Sequence, residues 1–334
     1  MSEVLQLDRE LLRKLQLKEL ESLVYFDNFC KEYELRYYLL GGCVIGAIRH
    51  GGFIPWDDDV DIIMPRRDYE RMLRLWKREE SSERFLMLKT DGEVFTGNSF
   101  ATLVDISATI VKENQQNIDV PHGIVTDIFP MDGCPDKRLQ RYMQYYHAMM
   151  YSLFITETVP TKHGKLIELG GKLLLKLFPN RDKRTKIWKK HEKKMTRYAF
   201  NTHKKCTELC AGPHYMLNEY PQEAFKKAEY HDFEGLSMPL PQGYDEYLHM
   251  AFGDYMEMPP EDKQVPHHDL VALDLDTPCM EYKISRSTNG SEPVEETIDD
   301  AVTESTEETI AKTADESITV TVEESTSESD TVPE

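Results

Sequence analysis

Four aspartates fall within five positions, Asp57, Asp58, Asp59 and Asp61, inside the run LLGGCVIGAIRHGGFIPWDDDVDIIMP from Leu39 to Pro65. Carboxylates set between apolar stretches are costly to bury unless a cation compensates them. Side chains alternate along a strand, so Asp59 and Asp61 share one face while Val60 and Ile62 turn to the core. Two carboxylates ~6–7 Å apart on one strand face suit magnesium, or manganese in its place, which takes carboxylates together with substrate phosphates. Upstream, Gly41 and Gly42 let a backbone approach a phosphate closely, and Gly46, Gly51 and Gly52 keep the loop permissive. These residue types at this spacing describe a metal-assisted phosphate-transfer site.

Holding such groups in place requires a strand, a glycine turn, a helix and a second strand. Leu35 to Leu40 reads as the first strand, and Val44 to His50 as the helix after the Gly41-Gly42 turn, so that phosphate meets both turn amides and a helix N-terminus. Arg49 and His50 end that helix. Arg49 is either a phosphate clamp or the ion-pair partner of an aspartate. Asp59 to Met64 is the acidic strand. Around it, residues 8 to 33 show a helical apolar period, and a second helix runs from Arg67 to about Glu80. Residues 99 to 112 read as one strand, with Asp105 a secondary site candidate.

Farther on, residues 137 to 200 are helical. The run Leu166 to Phe178, with Lys165, Lys172 and Lys176 among its leucines, reads first as a core helix and second as a helix lying on a membrane surface. His203, Cys206, Cys210 and His214 are spaced like metal ligands but not like a standard zinc finger, and CTELC reads equally as an alternating strand. His267 and His268 are either phosphate contacts or an exposed loop pair.

The chain has 334 residues, enough for one large or two small domains, and 40% of them are hydrophobic, enough for a sizeable core. Its net charge of −20 is uneven, because residues 281 to 334 hold 16 acidic and 3 basic side chains. That Thr/Glu/Ser-rich segment has too little apolar surface to offset ordering and is expected to be a disordered acidic tail from 283 to 334, after a catalytic domain over 1 to 282. No basic face suggests nucleic acid as a partner. Six cysteines lack a disulfide-framework spacing, Met1 to Arg9 is polar, and no apolar run reaches the length of a bilayer span. A cytoplasmic location follows as an expectation, with peripheral contact at the inner membrane face.

The segment GGCVIGAIRHGGFIPWDDDVDI resembles the LicD family, relatives of the fukutin-type proteins within the nucleotidyltransferase superfamily. Two further blocks fit in order. GIVTDIFPMDGCP, Gly123 to Pro135, is similar to the family's block that carries a third strand acid, here Asp127. Asp232 to His268 is similar to the family's ending. The likeness extends over roughly residues 8 to 270. It implies an α+β fold, a nucleotidyltransferase-type mixed sheet with surrounding helices. It also implies transfer of phosphocholine from CDP-choline, or of another phospho-head group from a CDP-linked donor such as a CDP-alditol, onto a glycan or lipid-linked glycan of teichoic acid or lipopolysaccharide, with release of CMP. Asp59, Asp61 and Asp127 would hold the metal, and Asp127 completes its shell or takes the acceptor's proton. Gly41 and Gly42 would cradle the diphosphate. Arg49, with His50 and Asp57 beside it, would bind substrate. Asp57 and Asp58 join a second metal shell or cap the turn, and Asp132 caps the helix or loop after its own turn. Cys43 replaces the Thr or Ser usual after the glycines, and the basic residue frequent near position 102 is missing. Attachment of NMP to a small molecule is the rival chemistry, and an inactive nucleotide-binding scaffold the non-enzymatic one.

Overall fold

The computed structural model describes residues 5, 7–79, 82–159 and 165–281. These lie within one compact unit, Met1–Lys283; the acidic tail expected from 283 onward lies outside the described residues. The chain enters through α1 (Arg9–Glu32), started by the Asp8 carboxylate, which accepts from the Leu11 amide at 2.8 Å. Its apolar stripe places Leu15, Leu23 and Phe26 in the core. Then β1 (Tyr38–Leu39) leads into α2 (Gly41–His50), β2 (Val60–Pro65) and α3 (Arg66–Glu79). The expected first strand shrinks to two residues, and the helix starts at Gly41 rather than Val44. The two glycines are thus the first turn of α2, not a separate turn before it.

Next come β3 (Phe85–Leu88), β4 (Ala101–Asp105), β5 (Thr109–Lys112) and the eleven-residue β6 (Ile124–Cys134). Residues 99 to 112 therefore form two strands, not one. The break has a cause: Asp105, fully buried, accepts from Arg84 Nε at 2.9 Å and Nη2 at 2.6 Å and from the Ser107 amide at 2.9 Å, which turns the chain. Asp105 is structural. The main sheet runs β1-β2-β6-β4-β3, with β2 and β6 parallel and the other pairs antiparallel; β7 (Lys205–Thr207) extends it from the far end of β6 and pairs with β8 (Tyr220–Pro221). This is the expected mixed sheet of an α+β fold.

Helices α4 (Arg138–Thr156), α5 (Lys165–Leu177) and α6 (Arg181–Met195) build a second apolar cluster around Tyr151, Phe154, Trp188 and Met195. α5 is only partly a core helix. Leu174 and Leu175 pack on that cluster while Leu169, Leu173 and Leu177 remain exposed. A hairpin, β9 (Ala228–Phe233) with β10 (Leu236–Pro241), then α7 (Tyr244–Phe252) and β11 (Leu270–Asp274) complete the unit. β11 returns to pair with β5. That return brings the His267-His268 loop back toward the acidic strand.

Candidate active site

Asp61 and Asp127 stand opposite each other in the register of the β2–β6 pair, so their carboxylates leave the same face of the sheet on strands ~4.8 Å apart. Asp59, just ahead of β2, is the foremost charged neighbour of Asp61, before Asp127. All three are half-buried, whereas the strand residues between them are sealed in the core. Burial, then the charges of Asp59 and Asp127, holds the Asp61 carboxyl well above the ordinary carboxylate range. Burial raises Asp127 as well, opposed by Lys112 and by the Thr102 hydroxyl that donates to it at 3.1 Å.

Such crowding suits a divalent cation, and the all-oxygen donor set suits magnesium. Among the described residues no three His, Cys, Asp or Glu side chains already make a ligand shell. Magnesium does not require one, since it takes one or two carboxylates and fills its octahedron with phosphate oxygens and water.

The glycines meet these acids from the side. Gly41 has φ +52°, a left-handed conformation that favours glycine, and its amide donates to the Tyr247 hydroxyl at 3.2 Å. A Cβ on Gly42 would lie 2.4 Å from Asp57 Oδ2, so the Asp57 carboxylate occupies the mouth of the α2 N-terminus. Burial, followed by Asp59 and Asp58, pushes Asp57 up to about 8. Gln16 of α1 fixes this loop, donating to the carbonyls of Ile54 at 3.1 Å and Asp57 at 2.9 Å.

Asp58 has a different task. It accepts from the backbone amides of His267 and His268 at 3.0 and 3.1 Å, and His268 Nδ1 lies 3.2 Å from it. Against the upward pull of burial, His268 and those amides hold its carboxyl low. His268 Nε2 also comes within 3.9 Å of Asp59. The histidine pair therefore belongs to the site, and Asp58 anchors it there.

Several expected members do not join. Arg49 donates to the carbonyls of Tyr255 at 2.9 Å and Glu257 at 3.3 Å, so it neither reaches the phosphate cradle nor pairs with an aspartate. His50 accepts from Arg49 at 3.0 Å and lies edge-on to Trp56, with no hydrogen bond or ion pair to an aspartate among the described residues. Asp132 is no turn cap: it sits within β6, fully buried, and binds Arg66 through both oxygens at 2.9 and 2.6 Å. The cysteine–histidine pattern does not assemble. Cys206 is buried in β7, Cys210 lies under Arg66, and half-buried His203 sits against the Ala199 carbonyl. All six cysteines are free and buried.

Two cavities flank the acids. The smaller, about 190 Å³, lies on the Asp127 side and is lined by Thr102, Lys112, Asn114, Gln115 and His268. Lys112, at the end of β5, supplies from an unexpected strand the base missing near position 102. The larger, about 340 Å³, holds Gly41, Gly42, Asp57, Asp59 and Asp61 together with Trp56, Glu208, Tyr215, Tyr247 and Phe252. Glu19 is buried in α1, raised well above its ordinary range by burial and then by Asp59, and its Oε2 has no hydrogen-bond partner among the described residues. Sequence reasoning passed over Glu19, Lys112 and Glu208. Glu19 left one visible trace, a carboxylate on the apolar stripe of α1.

A mixed sheet that presents acids from parallel neighbours beside a glycine-started helix defines a nucleotidyltransferase-type protein. Residues 34–154 match the family model for the nucleotidyltransferase domain of LicD, FKTN and FKRP. The lipopolysaccharide cholinephosphotransferase LicD of Haemophilus influenzae is 31% identical over 268 residues, covering 77% of this chain and 96% of that relative. The chain belongs to the LicD family. Among the described residues no helix is long and apolar enough to cross a membrane.

Proposed function

We propose that the protein transfers phosphocholine from CDP-choline to a hydroxyl of a glycan or glycolipid, releasing CMP, with Mg²⁺ or Mn²⁺ as cofactor. The observation that carries this reading is the register pairing of Asp61 with Asp127 beside the α2 N-terminus, in a chain whose Haemophilus relative bears the name cholinephosphotransferase. Asp59 and Asp61, aided by Asp127, would hold the ion, which when bound supplies positive charge against the donor diphosphate. The N-terminus of α2, opened by Gly41 and Gly42, would lie against the same phosphates. Asp127, oriented by Thr102 and raised by burial, accepts the proton of the acceptor hydroxyl. The hydroxyl oxygen attacks the phosphorus distal to the nucleoside. As that P–O bond forms, the bond to the CMP oxygen breaks. Lys112 stabilises the charge that gathers on the departing phosphate.

With a glycolipid acceptor, a cytoplasmic location with peripheral contact at the inner membrane face is part of this proposal. In support, α5 exposes Leu169, Leu173 and Leu177 beside Lys165, Lys172 and Lys176, a pattern suited to an anionic lipid surface. The test is product analysis with a panel of CDP-linked donors and of NTPs. CMP release that requires a divalent ion and is greatest with CDP-choline is the expected result. Pyrophosphate release from an NTP would instead establish nucleotidyl transfer.

A further inference from the structure

The larger cavity contains a group that the transfer chemistry leaves unused. Glu208, next after β7, is 2% exposed and lines this cavity, and its Oε1 has no hydrogen-bond partner among the described residues. A buried carboxylate with no cation beside it is costly unless a ligand supplies the positive charge. The walls beside it are aromatic: Tyr215 and Phe252 have ring centroids 6.1 Å apart, and Tyr247 and Phe252 6.4 Å. Phe252 also reaches the phosphate cradle, since a Cβ on Gly41 would be 3.7 Å from its ring. Tyr215 senses the charges of both Glu208 and Asp61, so the aromatic walls bridge the spare carboxylate and the acidic strand. Among the described residues no lysine or arginine lines the cavity.

We infer that this cavity is the seat of a quaternary ammonium group, with Glu208 supplying negative charge and Trp56, Tyr215, Tyr247 and Phe252 the ring faces. Such a cation cannot donate hydrogen bonds. It is held by carboxylate charge and by the negative faces of rings, which this cavity combines. A choline head is joined to its phosphate through two carbons, and the cavity offers Asp59, Asp61 and Gly41 within the same enclosure. The smaller cavity, with Asn114, Gln115 and Lys112, is instead furnished for a hydrogen-bonding base and for phosphate. The inference rests on the CDP-choline reading and names what would select that head group.

The competing occupant of the Glu208 end is the amino edge of cytosine, which a carboxylate can also accept. The experiment compares CDP-choline, its neutral dimethylbutanol isostere and CMP as ligands for the wild type, Glu208→Gln and Phe252→Leu. The wild type is expected to favour choline over the isostere on the order of tenfold. Glu208→Gln should erase most of that preference, and Phe252→Leu part of it, with no matching change for CMP. The second variant, at a half-exposed position, keeps the test alive if the first fails to fold. Equal loss of CMP and CDP-choline in Glu208→Gln would assign the residue to cytosine and overturn the inference. A wild type that releases CMP from CDP-choline yet treats the isostere equally would overturn it and leave the proposed function standing. If no CDP-linked ligand binds or turns over, both fall.

Discussion

The carboxylate of Asp57 fills the space that a side chain on Gly42 would need, with its Oδ2 2.4 Å from where the Cβ would be. Asp57 cannot retreat easily, because its carbonyl is held by Gln16 and its carboxyl is packed among Asp58 and Asp59. Gly42→Ala is therefore expected to displace Asp57 and destabilise the fold by about 1–3 kcal/mol. CMP release per folded molecule should fall with it. Thermal melting and a CMP-release assay on the soluble fraction check both halves.

The same acids make stability depend on pH. Burial and like charge place Asp57 at about 8 and Asp61 well above its ordinary range, so folding favours their protonated forms. A folded-state value above the unfolded one contributes stability at low pH that is lost as pH rises through the folded value. With EDTA present, the melting temperature should fall between the ordinary carboxylate range and about pH 8. Mg²⁺ favours the charged forms, so adding it should flatten that fall. Asp57→Asn should flatten it without metal.

Asp61→Asn separates catalysis from stability. An asparagine opposite Asp127 removes one of two facing charges and offers an N–H to the survivor. The metal-free variant is expected to melt no lower than the wild type at pH 8. Its CMP release should drop at least about a hundredfold. A variant that kept near-normal turnover would remove Asp61 from the chemistry.

How much of the chain could be read in advance depends on how local each signal is. The strand acids, the glycines and helices α1 and α3 are marked by neighbours in sequence, and the structure places them close to where periodicity puts them. Lys112 and Glu208 reach the cavities from β5 and from the end of β7, and nothing near them in sequence announces it. Arg49 misled for the opposite reason. It lies beside the cradle in sequence, yet in space it donates to the carbonyls of Tyr255 and Glu257. His267 and His268 became part of the site only because β11 pairs with β5 and the Asp58 carboxylate ties down their amides.

Lys112 is thus proposed for the phosphate contact that sequence order gives to Arg49. Lys112→Gln is expected to reduce kcat/KM for the CDP-linked donor by about tenfold, the value of one charge-assisted contact. The loss should shrink at high salt, which weakens the wild-type contact itself. Arg49→Ala should leave kcat/KM of the folded enzyme within about twofold and lower only its melting temperature, by freeing the 255–257 segment. Steady-state kinetics on both variants at low and high ionic strength decides between them.

Arg66 and Asp132 provide the structural counterpart to the acids proposed for catalysis. Asp132 is fully buried in the same strand as Asp127, but its charge is matched oxygen for nitrogen by Arg66 at 2.9 and 2.6 Å. That pairing fixes the start of α3 to the far half of β6. Arg66→Met leaves a buried carboxylate with no cation and is expected to cost about 3–5 kcal/mol. Replacing both, as Arg66→Met with Asp132→Leu, removes the stranded charge and should recover most of the loss. Denaturant unfolding of the two single variants and the double variant measures the coupling. If Asp132 instead took part in phosphate transfer, the stability-recovered double variant would be inactive. The expected outcome is that its folded fraction still releases CMP.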